Sequence, residues 1–553
     1  MNIKKILIVF LITFLGISDV IAQSTNIIGQ TVVGVITESA FTSTDPGGFE
    51  TVTISDSSLT GGDGESLTIA SPLEQNLQVG HGYNDQGLAT TIDISNSIFL
   101  GGNAGIGTNT QGSVKSFGGN GINIERGDLG FSGNFDPSSI TINSGTFTGG
   151  VGGTVSLFNE SIPPVYEQTY LNIAGTHGGH GFRFTRLDQS LPSVYFEASQ
   201  DDTIIINDGT FIGGNGGVVT NSTDGLVNAQ GGNGVFIDYA DVIINGGTFT
   251  GGAAGTTNGV FDKVGAGVHV QDSNLTINDG IFTGVGLRVE NRYYDSVNTI
   301  SNGTFETIEY ISNYDDYTPT VDPTFDGSNR TTRANIYGGS ISNIVLSGST
   351  YNEININGGT IDQLTFTSDA YGEDTVYIDS SADVGLIKVE SNAINRVVFE
   401  NDILPLNTSL DLGMNAIIST NLTTQADNQI QSTYGLGISN NEGDLTFGTG
   451  FLFVDNLTLA EGTKWTFVNS EVSPFSNFSS LNGTNDFLLA MVNTGSLTNN
   501  LSVDDITLVG NTQWLYDING FNVVTDGLYD RLYATYGIGQ LNEILGASGD
   551  LLV

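Results

Sequence analysis

The hydrophobic pattern of the chain is built around a recurring unit, Ile-Asn-x-Gly-Thr-Phe, in which two apolar anchors stand five positions apart. This spacing cannot place both anchors on one face of a straight strand, because side chains alternate along a strand with a period of two. The Asn and the Gly between them tolerate left-handed backbone. We therefore predict a corner at which the Ile ends one strand and the Phe opens the next, both pointing inward. Copies and variants begin at Ile142, Ile206, Ile244, Ile277, Ile300, Ile336 and Ile356, with weaker forerunners at Ile54 and Ile94.

A second element, Gly-Gly-x-Gly followed by alternating apolar residues, precedes the unit, as in 118–124 and 231–237. We interpret its glycines as turns, which gives three short strands per coil. The anchors Ile336, Ile356 and Ile378 are 20 and 22 positions apart, the length that one solenoid coil of three strands uses. Earlier intervals are longer. They indicate either coils that carry loops or two coils of which one has drifted.

These features predict an all-β chain folded as a parallel β-helix, a β-solenoid with about 20 to 25 residues per coil. The crossover preference of parallel strands makes it right-handed. Stacked coils would form internal ladders of Ile and Phe. Along one corner they would also form an amide ladder in which each Asn bonds the next. The predicted members of this ladder are Asn143, Asn207, Asn245 and Asn278.

The predicted domain organisation has three parts. Residues 1–22 form a signal peptide, residues 23–400 form the β-helix with loop insertions, and residues 401–553 form C-terminal β-rich coils with a cap. The repeat fades after about Asn401 into Leu-rich strands with tryptophans. A last rung left open would recruit other chains. We therefore predict that the aromatic stretch from Trp514 to Tyr536 is the cap.

The N-terminus predicts export. Lys4 and Lys5 precede a short apolar run that ends in small residues before Gln23, as in a secretory signal peptide. A membrane span needs roughly 20 apolar residues, and we expect no transmembrane segment in the mature chain. The chain has no Cys, which is common in bacterial surface proteins. We expect a secreted protein, or one on the outer surface of a Gram-negative bacterium. The net charge of −44 predicts that nucleic acid is not a partner.

With its signal peptide, its Cys-free coils rich in Gly, Asn and Thr, and its Trp-bearing terminal strands, the chain resembles autotransporter passenger domains and related β-helix adhesins. The resemblance implies a non-catalytic, adhesin-like protein that binds a cell-surface receptor or a glycan. Passengers of this kind continue into a translocator barrel of amphipathic strands. The sequence up to Val553 leaves no room for one. We therefore expect a separate outer-membrane translocator, a truncated gene or another export route.

One loop stands out as a candidate for binding by composition. It contains Tyr310, Tyr314, Asp315, Asp316 and Tyr317. Aromatic rings with a polar tip suit sugar stacking, and carboxylates accept hydrogen bonds from sugar hydroxyls. The alternative is a tolerated insertion at a coil corner.

The alternative function is a polysaccharide-degrading β-helix enzyme of the pectate lyase or polygalacturonase type. The two Gly-His-Gly triplets around His81 and His180, with Asp201-Asp202, resemble part of the polygalacturonase motif. Both triplets, however, stand where other copies have Gly-Asn-Gly, and the Asn-Thr-Asp and Arg-Ile-Lys elements do not occur. We interpret the arginine pairs as solvated loops or local ion pairs, and predict no catalytic residues. These pairs are Arg183 with Arg186, Arg288 with Arg292, and Arg330 with Arg333.

No cofactor is predicted, with calcium as the alternative. Residues 61–69 are similar to a calcium-binding nonapeptide, but Ser66 replaces a ligating Asp. His177 and His180 have the spacing of a zinc pair without a further ligand nearby in sequence, so no metal site is predicted. Ice binding would need Thr at every second position in adjacent coils, and the unit predicts one column only, Thr146, Thr210 and Thr248.

Overall fold

The computed structural model describes most of the chain between Ser24 and Ile538, and it is almost entirely strand. Within these residues, no helix has the length and hydropathy that crossing a membrane requires. The described residues are 24–33, 41–43, 51–64, 67–69, 75–77, 79–85, 91–109, 114–127, 138–157, 174–187, 202–220, 227–256, 263–291, 295–312, 331–348, 351–368, 373–391, 393–438, 445–469, 486–509 and 516–538.

The strands fall into three consecutive groups. The first group is β1 Ser24–Ile28, β2 Thr31–Val33, β3 Phe41–Ser43, β4 Thr51–Ser55, β5 Ser58–Thr60, β6 Leu67–Ile69, β7 Gln75–Leu77, β8 Tyr83–Asp85, β9 Thr91–Ser95, β10 Ser97–Leu100, β11 Ile106–Asn109, β12 Val114–Phe117, β13 Ile122–Gly127, β14 Ser139–Ile142, β15 Gly145–Thr148, β16 Thr154–Leu157, β17 Ala174–His177, β18 Phe182–Leu187, β19 Thr203–Ile206, β20 Thr210–Ile212, β21 Val218–Thr220, β22 Val227–Gln230, β23 Val235–Asp238, β24 Asp241–Ile244, β25 Thr248–Thr250 and β26 Ala266–Gln271. The second is β27 Asn274–Ile277, β28 Ile281–Asn291, β29 Ser296–Ile300, β30 Thr304–Ser312, β31 Thr331–Ile336, β32 Ser340–Gly348, β33 Tyr351–Ile356, β34 Thr360–Phe366, β35 Glu373–Ile378, β36 Asp383–Val389, β37 Ile394–Phe399 and β38 Ser409–Asp411. The third is β39 Ala416–Thr423, β40 Gln429–Ile438, β41 Leu445–Thr449, β42 Phe451–Leu459, β43 Lys464–Asn469, β44 Asp486–Asn493, β45 Leu497–Asn499, a 3₁₀ helix Val503–Asp505, β46 Ile506–Val509, β47 Tyr516–Thr525 and β48 Tyr529–Ile538.

The chain winds as a parallel β-helix with three faces, which confirms the predicted fold. The Ile of the repeat ends a strand of the first face, and Ile142 pairs in parallel with Ile94 before it and Ile206 after it. The Phe lies on the second face, and the third face completes the coil. Ile336, Ile356 and Ile378 are also in register on successive coils. The predicted coil length therefore holds in this region.

The corner between the first and second faces depends on the glycine of the unit. Gly209 has φ +144° and Gly247 has φ +115°, a region that residues with a Cβ rarely enter. On the outside of this corner, asparagine side chains of successive coils bond to one another. The Asn207 amide donates to Asn143 Oδ1 at 2.9 Å, and the Asn245 amide donates to Asn207 Oδ1 at 2.8 Å. The predicted asparagine ladder is confirmed. It runs along the outer edge of the corner, where part of it meets solvent.

The longer early intervals are single coils that carry an inserted side arm. From β4 to β23, the chain leaves the second face, forms an outgoing and a returning strand, and only then enters the third face. Outgoing strands stack on one another in their own sheet, and returning strands do the same. From β28 onward the arm is absent, and one bent strand covers both faces because β28 pairs with β25 and then with β26. The longer early intervals are therefore single coils with insertions, and not two coils of which one has lost the repeat.

The glycine pairs have a different role from the predicted one. They lie at the base of the side arm, where the segment that leaves the second face passes the segment that returns to the third face. The two backbones are in direct contact there. The Gly119 N–H donates to the Gly102 carbonyl at 2.8 Å, and the Gly150 N–H donates to the Gly119 carbonyl at 2.7 Å. A Cβ on Gly101 would lie 1.8 Å from the Gly119 oxygen. These glycines do not adopt positive φ. They are needed because two backbones approach closely there, and not because of a left-handed conformation.

The parallel coils continue past residue 401, through pairs such as β39 with β42 and β43 with β46. The last described strands, β47 and β48, form an antiparallel hairpin in which β48 pairs with β44. Ile518 and Phe521 of this hairpin pack against the last core residues. It lies where the sequence predicts the cap, although Trp514 is outside the described residues.

Candidate functional site

The predicted binding loop does not form one surface. Tyr310 lies in β30 and is fully buried, in register with Val289 and Leu346 of the neighbouring coils. Burial raises the pKa of its hydroxyl above the ordinary tyrosine range. The prediction that Tyr310 contacts a ligand is wrong, because the alternation within β30 directs this side chain into the core. Tyr314, Asp315, Asp316 and Tyr317 lie outside the described residues.

Other tyrosines do form an exposed group, on the first face of the coils from β31 to β35. Tyr337 is 56% exposed and Tyr377 is 43% exposed. Asn335, Asn355 and Tyr377 occupy the same outward column on three successive coils. Two strand spacings, about 10 Å, therefore separate the coils that carry the two rings. We call this the tyrosine patch, and it consists of Arg333, Asn335, Tyr337, Tyr351, Glu353, Asn355 and Tyr377.

Polar side chains of the patch are held beside the rings by hydrogen bonds and ion pairs. The Asn355 amide donates to Asn335 Oδ1 at 3.2 Å. The Arg333 guanidinium donates to Asp295 at 3.3 Å and lies 3.6 Å from Glu353 Oε2. Because the Arg333 and Glu353 side chains remain 44% and 41% exposed, they keep capacity for further hydrogen bonds. The patch can therefore combine ring stacking with donors and acceptors on rigid strands.

Sequence reasoning missed this patch although a signal was present. Tyr337 stands at the corner position that Asn occupies in other copies, and its N–H bonds the Ile300 carbonyl in the same way as the Asn278 N–H bonds the Ile244 carbonyl. A large aromatic residue in place of a ladder Asn is a departure that the repeat makes visible. Tyr377 could then be placed outward by alternation from Ile378.

The histidines form a second group of chemically active side chains. His177 ends a returning strand and stacks on Phe117, with ring centroids 5.1 Å apart. His180 stacks on Phe236 at 5.2 Å, and His269 meets the same ring edge-on at 5.1 Å. All lie where the side arm passes onto the third face. The histidine cluster contains all four histidines of the chain, His81, His177, His180 and His269.

Two of these histidines hold the coils together. The middle residue of each Gly-x-Gly accepts the N–H of its counterpart on the next coil. His81 Nδ1 accepts from Asn120 at 2.8 Å, and Asn120 Oδ1 accepts from His180 at 2.7 Å. His180 Nδ1 then accepts from Asn233 at 2.9 Å, and Asn233 Oδ1 accepts from Ala266 at 2.7 Å. The prediction that Gly-His-Gly occupies the Gly-Asn-Gly position is confirmed.

This role requires neutral imidazoles. Burial lowers the pKa of His81 to about 4, and the Arg183 charge adds to this effect while Glu125 opposes it. Burial also lowers the pKa of His180 well below its usual value, with Arg183 and the other histidines acting in the same direction. At neutral pH both imidazoles are therefore uncharged, and since each Nδ1 accepts a backbone N–H, the ring proton is on Nε2.

The arginines and carboxylates nearby are paired with each other. Arg183 bonds Glu125 and also donates to Asn123 Oδ1 at 3.0 Å. Arg288 donates to Glu309 at 2.7 Å, and His269 Nε2 lies 3.1 Å from Glu290. For Arg183 and Arg288, the predicted local ion pairs are confirmed. Each of these pairs links neighbouring coils.

In the calcium-like segment, the Asp63 carboxylate is used in a contact between coils. Asp63 Oδ1 accepts the N–H of Asn103 on the next coil at 2.7 Å. Likewise, Asp202 accepts the N–H and the hydroxyl of Ser138, at 2.8 and 2.6 Å. Across the described ranges, no three His, Asp or Glu side chains gather closely enough to hold a metal ion.

No protein-family model matches this chain, and no curated protein is significantly similar to it.

Proposed function

We propose that the protein is a secreted or surface-exposed, non-catalytic β-helix of the adhesin-like kind, which binds a glycan through the tyrosine patch. The observation that carries the proposal is the exposure of the Tyr337 and Tyr377 rings beside the Asn335–Asn355 amide pair. Tyrosine offers an apolar ring and a polar tip, which suits a ligand with alternating C–H and O–H groups. The net charge of −44 favours a neutral glycan over an acidic one.

The location of this binding protein follows from the N-terminal sequence. Export by the predicted signal peptide would place the rod outside the cell. Attachment to the outer membrane through a separate translocator is part of the same proposal. The target is then a glycan of another surface, carried on a cell-surface receptor or free.

The contacts of the histidine and arginine side chains favour glycan binding over glycan cleavage. A hydrolase or lyase needs a free acid or base aimed at the substrate. His81 and His180 instead direct Nδ1 at backbone N–H groups, and Arg183 is paired with Glu125. These side chains stabilise the contact between coils, as Asn does at the same positions in alternate coils.

The test is a binding measurement on purified mature protein with a panel of neutral and acidic polysaccharides, with and without calcium. The variant Tyr337→Ala/Tyr377→Ala should weaken binding to the preferred glycan about 5- to 150-fold, since each ring contributes roughly 0.5–1.5 kcal/mol. Tyr337→Phe/Tyr377→Phe keeps the rings and should retain most of the affinity. Leu528→Ala changes a side chain that is 74% exposed at the far end of the molecule and serves as the matched surface control.

Two results would count against the proposal. Equal affinity of the double alanine variant and the wild type would remove the patch as the binding site. Release of reducing ends or unsaturated sugars from any polysaccharide in the same panel would establish an enzyme, and the non-catalytic assignment would fall.

A further inference from the structure

The second face has a column of stacked phenylalanine rings beneath it from β10 to β30. Phenylalanines form a continuous stack directly beneath it, with ring planes only 6° to 9° from parallel and centroids 4.4 to 5.2 Å apart. Neighbouring strands of an ordinary sheet rotate by roughly 20 to 25°. Near-parallel rings on successive coils therefore indicate strands with little twist. The stacked residues are Phe99, Phe147, Phe211, Phe249, Phe282 and Phe305.

The strands that carry the stacked rings also present two columns of side chains on their outer, solvent-facing side. Alternation places one residue before each Phe and one after it on the outer side. The first column is Ser58, Ile98, Thr146, Thr210, Thr248 and Ile281, and the second is Thr60, Leu100, Thr148, Ile212, Thr250 and Thr283. We call these twelve positions the threonine face. The sequence predicts one threonine column, and the register adds a second column in which Leu100 and Ile212 accompany four threonines. Threonine occupies both columns in the coils of β15 and β25, and the coil of β20 between them pairs Thr210 with Ile212.

The chemistry of the threonine face differs from that of the chain as a whole. The protein carries a net charge of −44, yet none of the twelve positions is charged or aromatic. Apolar side chains are left open to solvent, with Ile98 45% and Ile281 51% exposed. Hydroxyls also meet across coils, as Thr250 Oγ1 lies 2.9 Å from Thr283 Oγ1. An ordered patch of exposed apolar and hydroxyl side chains is a candidate interaction surface.

The geometry limits what this surface can bind. Its columns repeat at the strand spacing of about 4.8 Å, and its rows at two residues, about 6.6 Å. A ligand must therefore be flat, uncharged and periodic on a scale of a few ångströms. Sugar polymers held by stacking would need aromatic rings, which none of the twelve positions provides. Charged side chains, which would retain hydration shells of their own, are missing from these positions too.

We infer that the threonine face binds ice. Threonine hydroxyls can join the hydrogen-bond lattice of crystalline water, and the methyl groups of Thr and Ile fit between its oxygens without competing for those bonds. A rigid, untwisted support holds the array in one arrangement, so little conformational entropy is lost on contact. This site is separate from the tyrosine patch and does not depend on the proposed glycan binding.

The test uses purified mature protein and a slowly grown polycrystalline ice body as the probe. Wild-type protein should be enriched in the ice fraction relative to the liquid and should shape single ice crystals. Thr210→Lys/Thr148→Lys places two long hydrated charges in the middle of the face and should abolish the enrichment. Thr375→Lys, at an outward position of the first face, should leave it unchanged, as should Tyr337→Ala/Tyr377→Ala. Circular dichroism checks that each variant keeps its strand content.

Several outcomes would overturn the inference. Exclusion of the wild type from ice is one, and equal enrichment of the double lysine variant is another. If that variant instead loses binding to microcrystalline cellulose or chitin while the wild type is excluded from ice, the face binds a crystalline polysaccharide. If it abolishes self-association in analytical ultracentrifugation, the face is an interface between copies. Because the tyrosine variants are measured alongside, failure of either proposal is recognised without reference to the other.

Discussion

Acidification should destabilise the coils that His81 and His180 hold together. In the folded chain His81 accepts a backbone N–H at Nδ1, and its pKa is lowered from 6.5 to about 4. The unfolded chain therefore takes up a proton near pH 6.5, whereas the folded chain does so only near pH 4. The stability that His81 contributes is complete above pH 6.5 and is lost as the pH falls towards 4. At 1.36 kcal/mol per pH unit, the loss is at most about 3 kcal/mol.

The chain itself offers the matched variant. Asn120 and Asn233 perform the same capping with an amide oxygen that does not titrate in this range. His81→Asn/His180→Asn should therefore retain most of the stability at pH 7.5 and lose the part of the acid dependence that the histidines cause. Glu125 and Arg183 face the same groups, and they are unchanged in both proteins, so the comparison isolates the imidazoles.

The assay is hydrogen exchange followed by mass spectrometry at pH values between 7.5 and 4, corrected for the intrinsic exchange rate. In the wild type, peptides that cover residues 79–85 and 174–187 should lose protection below pH 6.5, and in the double asparagine variant they should lose less. If the two proteins lose protection to the same extent over this interval, the capping argument is refuted.

Three further perturbations test the fold. Gly119→Ala would place a Cβ 2.1 Å from the Gly80 oxygen and should strongly lower the midpoint of thermal unfolding. Gly246→Ala, whose Cβ would have its nearest contact at 3.2 Å, should change the midpoint little. Similar midpoints for the two variants would show that the close backbone approach at Gly119 does not require glycine. Phe211→Ala interrupts the ring stack beneath the second face and should cost about 3–5 kcal/mol in denaturant unfolding, and a change below about 1 kcal/mol would show that the stack is not a main source of stability. Burial raises the pKa of the Asp374 carboxyl to about 6. The buried carboxylate therefore lowers the stability of the folded chain by nothing below pH 3.8 and by up to about 3 kcal/mol once the pH has risen through 6. Asp374→Asn should accordingly be more stable than the wild type at pH 8 but not at pH 4, and the absence of this pH difference would refute the assignment.

Local geometry explains why the architecture could be predicted. Two apolar anchors five positions apart with a glycine between them dictate a corner, because strand alternation and the Cβ restriction act within a few residues. The same reasoning placed Asn207 in an amide ladder and His180 in the position of an Asn, since copies of a repeat occupy equivalent places in stacked coils. These predictions required no knowledge of which segments meet across the molecule.

Tertiary structure decided everything that depends on which backbone or side chain lies opposite. Gly101 is needed because the Gly119 carbonyl of the returning leg passes against it, a contact that local sequence does not reveal. Tyr310 points inward, although alternation counted from Phe305 would direct it outward, because the bend within β30 shifts the alternation by one residue. Exposure and the pairing of columns are set by register, and register is a property of the stacked coils and not of any one of them.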